Sequence, residues 1–206
     1  MVEFLLRWIG IEKIAYLDLG ANDPVMFSNT YRFYRSGHRG VLVEADASLA
    51  AKIAKERPQD ICVAKAVTVS TEETVDFFKM SADTLSTIKS TTAERYERES
   101  EHRLADKTTV PAIHINKLLN TYFSEKAPDF VSLDVEGLDL ELLKAWDFSK
   151  WRPAVFCVET LTYTQNQTAV KISEIFELME EAGYQLYGDT YINSIFVERT
   201  AWERRR

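Results

Sequence analysis

Tyr16-Leu17-Asp18-Leu19-Gly20-Ala21-Asn22-Asp23-Pro24 reads as an apolar strand ending in an acid, a glycine turn, and the opening of a helix. Farther on, Gly40-Val41-Leu42-Val43 is a second apolar strand, and it too ends in an acid, Glu44. Together the two runs are the skeleton of a nucleoside-binding βαβ unit. Glycine lets the backbone turn tightly and approach a ligand, and a helix N-terminus presents unpaired N–H groups. An acid after the second strand takes ribose hydroxyls in charge-assisted hydrogen bonds. The first acid, Asp18, would repel a pyrophosphate but suits an ammonium. These features favour S-adenosyl-L-methionine (SAM) over NAD as the ligand.

Outward from this unit, strand and helix alternate. Ile14–Asp18 is the first strand, followed by a helix over Pro24–Ser36 with Asp23 as N-cap and Gly37 at its end. Phe27, Tyr31 and Tyr34 form a helical stripe expected to pack in the core. Asp46 caps a helix whose Leu49, Ala50, Ile53 and Ala54 point inward, and Ile61–Ala64 is a third strand. Residues 68–110 read as an irregular insertion. It holds a short strand at Val75–Phe78, a loop over 82–88, and a solvated helix over Thr92–Arg103 that could alternatively act as a mobile flap. Thr109–Ile113 is a strand, and Lys117–Tyr122 a helix. Asp129–Leu133 is the fourth main strand, Asp139–Trp146 its helix, and Ala154–Val158 the fifth strand. A helix over Thr168–Ala182 ends at Gly183. Tyr184–Tyr187 and Ser194–Val197 are joined too closely to be parallel, so they form an antiparallel hairpin. The expectation is an α/β fold, a three-layer αβα Rossmann-like class I methyltransferase sheet, mostly parallel with a C-terminal antiparallel hairpin. No linker or repeat divides residues 1–206, so one domain is expected.

The 206 residues carry a formal net charge of −7, with 46% hydrophobic and 28% charged residues. These are globular values, and the charge disfavours a nucleic-acid partner that needs a broad basic surface. The basic cluster Glu203-Arg204-Arg205-Arg206 reads as a solvated tail. Val2–Ile9 is too short to span a membrane and lacks a signal-peptide cleavage pattern, so it is expected to be a packed amphipathic helix. Cys62 and Cys157 sit in apolar segments as free thiols, which fits a reducing cytoplasm. Nothing in the sequence sets an oligomeric state.

Carboxylates gather at the expected carboxyl ends of strands, where ligands bind in open α/β sheets. Asp18, Glu44 and Asp134 end strands, Glu136 follows in Ser132-Leu133-Asp134-Val135-Glu136-Gly137, and Glu159 ends the fifth strand. Clustered like charges repel one another, and a cationic ligand such as SAM relieves that repulsion. Each acid also has a plainer reading. Asp18 can cap the turn, Asp134 and Glu136 can cap a helix, and Glu159 can sit at the surface. His114 is expected to be packed, and His38 and His102 exposed. No nucleophile triad and no phosphate loop is present. Magnesium would suit the oxygens of Asp134, Glu136 and Glu159, but no specific spacing points to a metal, and none is assigned.

Asp18-Leu19-Gly20-Ala21-Asn22, Val43-Glu44-Ala45-Asp46, Leu133-Asp134-Val135-Glu136-Gly137 and Gly183-Tyr184…Asn193-Ser194-Ile195-Phe196-Val197 resemble FkbM-type SAM-dependent methyltransferases, in order over residues 14–198. The resemblance implies in-line O-methyl transfer to a hydroxyl of a glycan or small metabolite. It places Asp18, Gly20, Ala21, Asn22, Glu44, Ala45 and Asp134 at the cofactor, and Asp134 and Glu136 in catalysis. Asn22 departs from the broader methyltransferase pattern, where a second glycine is common. The alternatives are a SAM- or nucleoside-binding regulatory module without turnover, and an NAD-linked oxidoreductase. The missing G-x-G-x-x-G and the terminal hairpin disfavour the oxidoreductase. Residues 80–107 and 160–167 are expected to shape the acceptor pocket, with Thr162, Tyr163, Gln165, Asn166 and Gln167 as polar contacts.

Overall fold

The computed structural model describes residues 1–162 and 170–205. After helix α1 (Val2–Trp8) the chain runs β1 (Ala15–Leu19), α2 (Tyr31–Arg35), β2 (Arg39–Glu44), α3 (Ala47–Glu56) and β3 (Ile61–Ala64). Strands β4 (Ala66–Thr68) and β5 (Thr74–Met80), helix α4 (Ser90–Glu99) and strand β6 (Leu104–His114) follow. Then come α5 (Ile115–Tyr122), β7 (Phe130–Leu133), α6 (Asp139–Ala145) and β8 (Val155–Glu159). Helix α7 (Ser173–Glu181), strands β9 (Tyr184–Asp189) and β10 (Asn193–Glu198), and helix α8 (Arg199–Glu203) close the chain.

Seven strands form one sheet in the order β3-β2-β1-β7-β8-β10-β9. Its first five strands are parallel, and β10 runs antiparallel between β8 and β9. The expected hairpin is therefore present, and with it the expected three-layer fold. The central strands are apolar on both faces because helices cover both. Leu17 pairs with Val41 on one side and Val131 on the other, and all three pack with α5, α6 and α7. Tyr16, Leu42, Phe130 and Cys157 point the other way, onto Leu5 and Leu6 of α1, Phe33 of α2 and Ile53 of α3. Fully burying a side chain such as Leu17 stabilises by roughly 1.5–3 kcal/mol. Gly40 in β2 leaves room for the Tyr16 ring, which a Cβ there would approach to 2.1 Å.

The first expected helix is shorter than its sequence suggests. Asp23 does not cap a helix from Pro24. Its Oδ1 accepts the Val25 and Met26 N–H groups in a local turn, Phe27 takes φ +60°, and helix begins only at Tyr31. Side-chain oxygens competing for nearby N–H groups account for this, with Ser28 Oγ accepting from Thr30 and Tyr31. Phe27 is therefore 89% exposed rather than packed in the core, while Tyr31 and Tyr34 stack on each other, half-buried. In α3, Asp46 does cap, accepting from Ser48 and Leu49, but Ala54 faces solvent.

Residues 68–110 also differ from expectation. They form an ordered three-stranded sheet, β4-β6-β5, in which β6 runs through Leu104–His114. Helix α4 ends at Glu99 and buries Thr92, Ala93 and Tyr96 against β5 and the loop before it, so it is not a wholly solvated helix. The expected helix over Thr168–Ala182 is found as Ser173–Glu181, and Thr168 lies outside the described residues, as do Tyr163, Gln165, Asn166 and Gln167. His38 and His102 are half-buried rather than exposed. No helix among the described residues is long and apolar enough to cross a membrane.

Candidate active site

Strand periodicity builds the site. Side chains alternate faces with a period of two, so the parity that sends Tyr16, Leu42, Phe130 and Cys157 to one face sends Asp18, Glu44, Asp134 and Glu159 there too. Those four acids stand at the carboxyl ends of β1, β2, β7 and β8. Tight packing of the β1 and β7 ends requires Gly20. It has φ +79°, and a Cβ there would sit 1.8 Å from the Asp134 carbonyl oxygen.

An open cleft of about 1020 Å³ runs across these ends, lined by Asp18, Gly20, Ala21, Asn22, Glu44, Ala45, Asp134 and Glu136 among others. All of the expected cofactor residues thus lie along one cleft. Glu44 Oε2 accepts the Asn22 N–H and Oε1 the Asp46 N–H, each at 2.8 Å. These bonds aim the carboxylate and leave acceptor capacity on the cleft side. Burial nonetheless raises its pKa, against those N–H donors. Asn22 has φ +47°, and asparagine is the residue other than glycine that best tolerates this region, which accounts for its place in the turn. Phe27 and Glu136, at φ +60° and +52°, also line the cleft. Non-glycine residues in this region concentrate at functional sites.

Asp18 is 4% exposed and accepts from the Thr30 hydroxyl. Thr30 Oγ1 in turn accepts from Arg57 Nη1 at 3.1 Å, so a buried guanidinium orients the first acid through a threonine. Burial raises the Asp18 pKa, while Thr30, Arg57 and Ser132 oppose the rise.

Asp134 and Glu136 line the cleft, and Glu159 stands beside them. Asp134, Glu136 and Glu159 each place an oxygen within 4.8 Å of the other two, close enough to share a divalent cation. Burial first, then the Asp134 and Glu136 charges, pushes Glu159 up to about 11. Carboxylates this close repel one another, and each raises the other's affinity for a proton. Glu136 is raised well above the usual carboxylate range, by burial and then by Asp134, while the Tyr96 hydroxyl donates to its Oε2. Asp139 is pushed up to about 7 by burial and Asp134, and it accepts the Val135 and Gly137 N–H groups. The insertion holds this turn in place. Thr87 Oγ1 donates to the Glu136 carbonyl at 2.9 Å, and Lys89 Nζ to that of Gly137 at 3.0 Å.

The sequence underweighted Glu159, although its place after the fifth strand signalled it. Thr30, Arg57 and Tyr96 escaped notice because the helices that would carry them were read as core or solvent-facing. His114 Nδ1 accepts the Asn116 N–H as an N-cap, in keeping with a structural role.

Asp18 and Glu44 flank a cleft whose lining at Gly20 has no room for a side chain. The sequence profile of the methyltransferase FkbM domain matches residues 18–186. None of the curated proteins matches the chain. Among solved structures, a 1,6-didemethyltoxoflavin-N1-methyltransferase from Burkholderia thailandensis, crystallised with 1,6-didemethyltoxoflavin and S-adenosylhomocysteine, superposes with a TM-score of 0.46 and 12% identity, over 95% of this chain and 73% of that one. A TehB-like SAM-dependent methyltransferase from Corynebacterium glutamicum gives 0.46 and 11%, over 95% and 85%. A precorrin-6y C5,15-methyltransferase from Geobacter metallireducens gives 0.44 and 12%, over 95% and 84%. The chain belongs to the methyltransferase FkbM domain family, whose methyl donor is S-adenosyl-L-methionine.

Proposed function

We propose that the protein transfers a methyl group to a hydroxyl of a glycan or small metabolite. The supporting observation is that two clefts meet at the carboxylate trio. Glu136 lines the first, and Glu159 lines a second of about 890 Å³ on the far side of Gly137. A donor held in one and an acceptor held in the other would converge on Asp134, Glu136 and Glu159.

Bound along Asp18, Gly20, Ala21, Asn22, Glu44, Ala45 and Asp134, SAM supplies a methyl group already activated by its sulfonium. Glu44 holds the ribose hydroxyls and Asp18 favours the ammonium end. Asp134, beside Glu159, orients the acceptor hydroxyl. Glu136, with one oxygen occupied by Tyr96, receives the hydroxyl proton on the other as the new O–CH3 bond forms. A positioned base contributes roughly 10²–10⁴-fold. Placing the oxygen in line with the breaking bond contributes at least as much.

The test is turnover of methyl-labelled SAM with hydroxylated acceptors, read by where the label lands, beside calorimetric titration with S-adenosylhomocysteine. Labelled methyl ether formed by wild type, and largely lost in Glu136→Gln with S-adenosylhomocysteine binding intact, is the expected result. Label on nitrogen or carbon would overturn the O-methyl reading. Cofactor binding without turnover across the acceptors would point to a regulatory module.

A further inference from the structure

The second cleft has a charge pattern that the transfer of a methyl group does not by itself require. Its inner end is carboxyl, formed by Glu159 and Asp139, and its outer wall is cationic, formed by Lys89, Arg95 and Arg98. Arg95 and Arg98 lie three residues apart, which places them on one face of α4.

The three cations are not equivalent. Lys89 Nζ is used, bonded to the Gly137 carbonyl and to Glu141 at 2.5 Å. Arg98 pairs with Glu99 at 2.8 Å on the open surface, where water screens the pair. Arg95 is half-buried with its guanidinium 5.4 Å from the centre of the Tyr96 ring, and its Nε is buried with no hydrogen-bond partner among the described residues. Leaving a buried donor without an acceptor costs about 1–3 kcal/mol, and more for a charged group. Native structures seldom hold one without a partner still to come. The nearby acids do not fill that place. Glu136 accepts the Tyr96 hydroxyl at its Oε2, and Asp139 is engaged by two backbone N–H groups.

On the reading given under Proposed function, we propose that the acceptor carries an anionic group, a carboxylate or a phosphate, besides the hydroxyl it offers for methylation. Arg95 holds that group through its guanidinium, with Arg98 beside it, while the hydroxyl reaches the carboxyl end of the cleft. A guanidinium fork matches both anions, and its planar donors also fix the acceptor's orientation. Neutral polyols offer hydroxyl acceptors but no negative charge to match the guanidinium.

The experiment uses the full chain saturated with S-adenosylhomocysteine. The probes are D-glucuronate, D-glucose 6-phosphate, inorganic phosphate and neutral D-glucose, read by the ¹H–¹⁵N signal of the Arg95 Nε–H and by calorimetry. We expect at least one anion to move that signal and to bind about tenfold or more tightly than glucose, with the preference lost in Arg95→Gln. The ranking of glucuronate against the phosphates tells carboxylate from phosphate. Cofactor affinity should stay within about twofold in the variant, since Arg95 lies outside the cofactor cleft. Three results would overturn the inference: glucose binding as well as the anions, an anion preference that survives Arg95→Gln, or no movement of the Arg95 signal up to the solubility limit of every anion. Failure of wild type to bind S-adenosylhomocysteine would instead strike the reading on which this inference rests.

Discussion

Arg57 is fully buried, and its guanidinium holds together parts of the chain that lie far apart in sequence. It pairs with Asp60 at 2.8 Å and donates to the Tyr16 hydroxyl, Ser28 Oγ and Thr30 Oγ1. Asp60 also accepts from Tyr16 and from the Gly40 N–H. Removing one member of a buried pair leaves the other charge uncompensated, which costs roughly 3–5 kcal/mol. Arg57→Met should therefore lower stability in urea by about that amount, and a loss under about 1 kcal/mol would show that Tyr16 and Gly40 alone satisfy Asp60. Glu44 carries a different kind of prediction, because its free acceptor capacity faces the cleft. Glu44→Gln keeps the shape but loses charge-assisted bonds, so S-adenosylhomocysteine should bind about tenfold or more weakly by calorimetry. Unchanged affinity would mean that the ribose lies elsewhere. Tyr96→Phe removes the hydroxyl that occupies Glu136. It should shift the pH profile of kcat while leaving cofactor binding intact, and an unshifted profile would remove Glu136 from the proton path.

Among the elements, the turn between β1 and α2 decides most. Gly20 is the one position there where a methyl group has nowhere to go, because the Asp134 carbonyl stands 1.8 Å from its Cβ site and its φ is +79°. Gly20→Ala should force the β1 and β7 ends apart and lower the thermal midpoint, by an amount equal to roughly 1–3 kcal/mol. A midpoint within a degree or so of wild type would contradict that packing. The central strands and their acids were legible because each is a short apolar run, buried on both faces, that stops at a carboxylate. The helix after Pro24 was not. Its extent is settled by the side chains of Asp23 and Ser28 bonding to the backbone, and by Arg57, which reaches Ser28 from α3's end. Helix α4 was misread for a related reason. Its alternating charges describe the exposed side, while Thr92, Ala93 and Tyr96 are buried by β5 and the loop before it, which sequence periodicity alone did not place beside them.

Across the whole molecule, the carboxyl cluster sets how stability depends on pH. Glu159 holds its proton up to about 11 in the folded chain and, once unfolded, releases it near the ordinary value of 4.5. The folded state therefore binds the extra proton between those values, so its contribution is fully present below 4.5 and is lost as pH rises toward 11. Asp139, pushed up to about 7, adds to the same trend over a narrower window. Stability should fall with rising pH through the neutral range by at most about 1.4 kcal/mol per unit from Glu159. Glu159→Gln, neutral at every pH, should flatten that slope and raise the thermal midpoint at pH 8. A slope equal in both proteins would show that the cluster is solvated. By itself the sequence determined the alternating strands, the acids at their ends, the glycine turn and the antiparallel close, because each depends on neighbours a few residues away. Only the tertiary structure decided that Glu159 stands beside Asp134, that Tyr96 and Thr87 hold the Glu136 turn, and that Arg57 orients Asp18. Those are contacts between segments far apart in the chain, and they exist only once the sheet edge and the insertion have packed together.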